Sequence, residues 1–149
     1  MRAFITAGAG FLLAVLWFDL MFDVQVLRHP ASRVPEAALE SIARYYRRVT
    51  TDARPMNRLV ALVMLGTLAA IVIQIAKGDD PAWVAWTSLV LAGGAIGLAA
   101  GHTFGAARRL GARADASEVQ GRLARSILRD HLLCLAAIAS VLVLQLAFA

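Results

Sequence analysis

Two carboxylates one helical turn apart, Asp19 and Asp23, and two histidines at comparable depth in later apolar stretches, His102 and His131, have the types and placement to do chemistry. The i, i+4 spacing puts both carboxylates on one helix face. Carboxylate and imidazole together suit iron, manganese or zinc, and facing helices of a bundle commonly assemble such sets. Asp19, Asp23, His102 and His131 are therefore candidate ligands of a divalent metal. Without metal, Asp19, His102 and His131 are candidate acid–base groups, with histidine able to deprotonate an acidic lipophilic molecule. The competing structural reading pairs Asp19 with Arg54, Arg58 or Arg129 as a buried ion pair, and makes Asp23 and His102 ordinary interfacial groups. The sequence has no Glu-x-x-His pair, Walker loop, dinucleotide-binding glycine pattern, serine nucleophile elbow or His-Glu-x-x-His motif.

The elements that position these residues are transmembrane helices. Of 149 residues, 60% are apolar, and the mean hydropathy of +0.68 exceeds that of an ordinary soluble domain. Four runs reach spanning length, approximately 3–22, 58–76, 82–103 and 130–149, which predicts an all-α four-helix membrane bundle forming one domain over 1–149. The first run is long and lacks a clean small-x-small site after it, so it reads as a retained helix. The net charge of +5 is carried by arginines that cluster between spans one and two and between spans three and four. That layout points to anionic lipid headgroups and excludes a nucleic-acid stripe. Arg54, Arg58, Arg122, Arg125 and Arg129 are the candidate headgroup contacts. The positive-inside rule places both Arg-rich connections in the cytoplasm and both termini outside, with a bacterial inner membrane as the expected location.

After Pro35, residues 36–49 place Ala38, Ile42, Tyr45 and Val49 at helical spacing, which predicts an amphipathic helix on the membrane face or packed on the bundle. Tyr45 and Tyr46 read as its anchors. Asp115 and Glu118 resemble a capping box, and a long fourth helix is expected from near Ser117. In span three, Gly93, Gly97, Gly101 and Gly105 recur every fourth residue and form a close-packing face. Helix one, helix four and another copy of the chain are all open as its partner; the small residues Ala3, Ala7, Gly10 and Ala14 of helix one offer a match, and packing within the chain is favoured over dimerisation. Cys134, the single cysteine, reads as a packing residue.

Depth arithmetic adds a polarity to the bundle. Asp19 lies about 16 residues, or roughly 24 Å, from the outer start of its helix, at the level of His102, His131 and the start of span two. The inner end therefore gathers the polar groups into a pocket, and the outer end is expected to be nearly featureless.

The stretch Trp17-Phe18-Asp19-Leu20-Met21-Phe22-Asp23, the later Arg129-Asp130-His131 and the four-span layout resemble the small four-helix membrane family that includes the anthrone oxygenases. The resemblance implies oxidation of a polycyclic aromatic by oxygen without an obvious cofactor, and carries no individual catalytic residue with it. Three classes of function stay open: an accessory or oligomer-forming protein contacting itself or another membrane protein, an oxygenase-like enzyme or redox protein acting on a lipophilic substrate, and a proton-coupled transporter.

Overall fold

Long uncharged apolar runs in lipid must satisfy every backbone group internally, so they fold as helices. The computed structural model describes residues 1–30, 33–78 and 81–148, with Arg54 described in its backbone alone. Helix α1 is Arg2–Asp23, α2 Glu36–Arg47, α3 Arg54–Lys77, α4 Ala82–Leu98, α5 Phe104–Ala112 and α6 Ser117–Ala147. A π-helical turn, Ala99–Thr103, joins α4 to α5 as one continuous rod, and a second, Arg48–Asp52, leads from α2 toward α3. Four helical stretches are long and apolar enough to cross a membrane: Arg2–Val26, Pro55–Lys77, Ala82–Ala112 and Ser117–Ala147. The fold is the all-α bundle that the hydropathy pattern predicts, with the amphipathic helix in its first connection and a 31-residue last helix.

Local chemistry sets the boundaries. Pro55 occupies the first turn of α3, where its missing N–H costs nothing. Gly78 ends α3 in the left-handed region at φ 67, donating its N–H to the Gln74 carbonyl. The expected capping box before α6 does not form. Asp115 instead accepts two bonds of 2.7 Å from the Arg109 guanidinium, and α6 starts after Ala116 without a side-chain cap. A bidentate, charge-assisted pair outcompetes a single cap bond.

The core has two tiers. In the apolar tier, α1 packs on α6 and α3, and α4 packs on the same two, so α1 and α4 stand at opposite corners. Ile5, Ala9 and Leu12 of α1 meet Ile71 of α3, Ala92 of α4, and Ile138 and Val141 of α6. Gly8 lets α1 ride directly over Thr67 of α3. This geometry overturns the expected partnership between the glycine face and the small residues of helix one. Ala3, Ala7 and Ala14 are exposed, and apart from the adjoining backbone of their own helix no described atom lies within 4 Å of a Cβ at Gly93, Gly97, Gly101 or Gly105. Diagonal helices cannot share a groove.

The second tier closes the Arg-rich end. Leu39, Ile42, Ala43 and Tyr46 of α2 are buried against Ala107 and Leu110 of α5 and Ala124 and Ile127 of α6. The buried stripe is turned by about one residue from the predicted one, leaving Ala38, Tyr45 and Val49 partly buried. Packing on the bundle, rather than on a flat membrane surface, selects that stripe. The opposite end is not featureless. Gln74 and Gln145 exchange amide hydrogen bonds of 3.0 Å, and Gln145 donates to Ser88 at 3.1 Å, all three fully or nearly fully buried.

In the second tier the backbones of α5 and α2 come close together at Gly111. A Cβ added at Gly111 would stand 2.8 Å from the Arg47 backbone nitrogen. Gly111→Val should therefore lower stability by about 1–3 kcal/mol through overpacking. Thermal unfolding in detergent measures it, and an unchanged midpoint would show that α2 is not held against α5.

Candidate functional site

Asp19 and Asp23 leave the last turn and a half of α1 on the face that meets α2 and α6. Asp23 is fully buried. Its Oδ1 accepts the Tyr46 hydroxyl at 2.5 Å and its Oδ2 accepts His131 Nδ1 at 2.6 Å. A carboxylate only accepts, so Nδ1 carries the proton and His131 presents Nε2 outward. Asp19 Oδ2 lies 3.8 Å from that Nε2, too far for a hydrogen bond, while Asp19 Oδ1 accepts the Tyr45 hydroxyl at 2.6 Å. Tyr45 in turn stacks on Phe22 with ring centroids 4.1 Å apart. Three helices thus close on one another through four polar side chains and a histidine.

The second histidine is elsewhere. His102 and Thr103 lie in the π-helical turn, a distortion that often marks functional positions. The turn aims both residues at one oxygen of Asp130, with His102 Nδ1 at 2.5 Å and Thr103 Oγ1 at 3.1 Å. The Arg129 guanidinium stands 3.5 Å from the other Asp130 oxygen. The proposed foursome therefore divides: Asp19, Asp23 and His131 share a site, and His102 pairs with Asp130. Among the described residues no group of three histidine, cysteine or acidic side chains is arranged to hold a metal ion.

Sequence reasoning missed Tyr45, Tyr46, Thr103 and Asp130. The one available signal was that two adjacent phenols flank the apolar stripe of α2, at the depth of two carboxylates. The ion pair expected between Asp19 and an arginine is replaced, among the described residues, by Tyr45 and His131. The arginines divide as well. Arg122 pairs with Glu118 at 2.6 Å and Arg125 donates to the Val26 carbonyl at 3.1 Å, whereas Arg58 and Arg129 are exposed. The side chain of Arg54 lies outside the described residues.

Above this polar cluster α3 leans away from the bundle. Among its described residues none from 55 to 66 is buried, and burial begins at Thr67. The gap is a cavity of about 470 Å³ walled by apolar side chains of α1, α3, α4 and α6, with Asp19, Tyr45, Tyr46 and His131 at its floor.

Burial, followed by the neighbouring carboxylates, pushes both phenols well above the ordinary tyrosine range, so they remain O–H donors. A phenol raised in the folded state contributes fully to stability below its unfolded pKa of about 10, and that contribution drains away as pH rises beyond it. The chain has two tyrosines, Tyr45 and Tyr46, so tyrosinate absorbance reads only these. Titration to about pH 11 should produce no tyrosinate signal while the fold persists. A full two-tyrosine signal from folded protein near pH 10 would contradict the buried carboxylate–phenol pairs.

The model of the SHR3 chaperone family, described as ER membrane protein SH3, matches residues 1–148. No curated protein and no solved structure matches the chain. The expected bacterial inner membrane is thereby corrected, since the matched family is one of the ER membrane. Hydropathy and charge bias could not tell the two apart, because they report the span and its sidedness and not which bilayer is crossed.

Proposed function

The chain belongs to the SHR3 chaperone family of ER membrane proteins, and from that premise we propose that it is an accessory protein that engages other membrane proteins through their transmembrane helices. The observation that carries this reading is the open glycine face. Gly97, Gly101 and Gly105 are exposed and Gly93 is half-buried, and apart from the adjoining backbone of their own helix no described atom lies within 4 Å of a Cβ at any of them. Lipid gives helices no hydrophobic reason to associate, so close backbone contact along such a groove is a principal source of adhesion. A face of this kind left unused inside the bundle suits a helix of a partner.

In this reading the Arg-rich tier lies at the cytosolic surface, in keeping with the positive-inside rule. There the exposed Arg58 and Arg129 meet anionic headgroups. The buried Tyr46–Asp23–His131 cluster keeps that tier attached while the glycine face stays free.

Gly97→Leu separates partner contact from internal packing. Because nothing described surrounds Gly97, the variant should unfold within about 0.5 kcal/mol of the parent chain. It should also lose the cross-links to membrane-protein partners that a thiol placed at the exposed Gly101 forms in the otherwise unaltered chain. A clear drop in thermal midpoint would mean that the face is packed within the bundle. Cross-links running only to a second copy of the chain would replace the accessory reading with self-assembly.

A further inference from the structure

The cavity beside α3 has a floor that the partner-binding reading leaves unused. Among its described lining residues there is no lysine or arginine, and its walls are almost wholly apolar. A phosphate-headed lipid would bring an anion against Asp19 and Asp23 with no lysine or arginine among the described lining residues to receive it. The floor instead offers two uncommitted atoms 3.8 Å apart, Asp19 Oδ2 and His131 Nε2. Their own partners are already fixed: Tyr45 holds the other oxygen of Asp19, and Asp23 holds Nδ1 of His131.

A single oxygen can sit within hydrogen-bond reach of both open atoms at once. With a carboxylate facing each ring nitrogen, His131 as the imidazolium donates from Nε2 while Asp19 Oδ2 accepts, so a hydroxyl, which accepts and donates through one oxygen, completes both at once. A carbonyl or ether only accepts and would leave Asp19 unserved. A volume of about 470 Å³ falls in the range of sites for single small molecules, which are mostly apolar with a few placed polar groups. Phe18, Met56 and Phe104 line the cavity and are themselves exposed, so a ligand can arrive from the bilayer.

We propose that this cavity binds a neutral lipophile through a hydroxyl or phenol head, which bridges Asp19 and His131 while its apolar body lies against α1, α3, α4 and α6. The head completes the hydrogen bonding of two buried polar groups. Asp19 and His131 are the recognition pair, and Asp23, Tyr45 and Tyr46 are positioning residues that hold the pair open.

The test uses the full chain in lipid nanodiscs, with radiolabelled nonylphenol and its methyl ether as probes and empty nanodiscs as the partition background. The phenol should bind at least about tenfold more tightly than the ether, the worth of a hydrogen bond to a charged group. Asp19→Leu should reduce that preference to about unity while ether binding persists. Val15→Trp, which fills the cavity from α1 and removes no polar group, should abolish specific binding of both probes with helicity unchanged. Equal affinity for phenol and ether in the parent chain would overturn the proposal, as would binding no greater than to empty nanodiscs. Retained binding in Val15→Trp would place the site elsewhere. If Asp19→Leu does not fold, the parent chain's preference and the Val15→Trp result still decide the matter.

Discussion

A fully buried Asp23, held by Tyr46 on one oxygen and His131 on the other, is the contact on which the rest of the second tier depends. Placing an ionised carboxylate in apolar surroundings costs several kcal/mol unless its partners are well aligned, and removing one partner of such a set is more damaging than never having built it. That asymmetry makes the cluster a latch. It ties the end of α1 to α2 and to the middle of α6, and so fixes an amphipathic helix beneath the bundle instead of leaving it on a membrane surface. The same latch sets the orientation of His131, because a proton committed to Asp23 leaves Nε2 as the atom facing the cavity.

From that contact the two open features of the molecule follow. With α1 and α6 locked together, α1 and α4 stand at opposite corners, and the glycine face of α4 has no neighbour in the chain. With the second tier closed by α2 and α5, no described residue of α3 from 55 to 66 is fully buried, and a cavity remains between that half of α3 and the latch. The proposed adhesion to a partner helix and the proposed lipophile site would thus use different surfaces, one the open glycine face of α4 and the other the cavity beside α3.

Much of this was legible in the sequence, for identifiable reasons. Spanning helices follow from long apolar runs because lipid leaves the backbone no alternative. The long α6 followed from an unbroken helical pattern between Ser117 and the C-terminal run. Asp19 and Asp23 could be placed on one face because helical periodicity is local. Which partner each residue meets was not legible. The Asp23 partners, Tyr46 and His131, are 23 and 108 residues away, and no local spacing encodes such pairings. His102 shows the same limit. Depth arithmetic set it level with His131, but the π-helical turn of Ala99–Thr103 rotates it toward Asp130. The glycine repeat was legible as a pattern, but within the chain it packs on no described neighbour, because that depended on the order of helices around the bundle. The choice of bilayer had no physical signature in hydropathy or charge and came from the family match.

The central claim is that Asp23 and His131 act as one energetic unit joining α1 to α6. A double-mutant cycle on Asp23→Asn and His131→Gln, read by equilibrium unfolding in detergent, measures their coupling directly. Groups in direct contact within one hydrogen-bond network should show a coupling of about 2 kcal/mol, with the double variant far less destabilised than the sum of the singles. Additive effects, with a coupling below about 0.5 kcal/mol, would contradict the account.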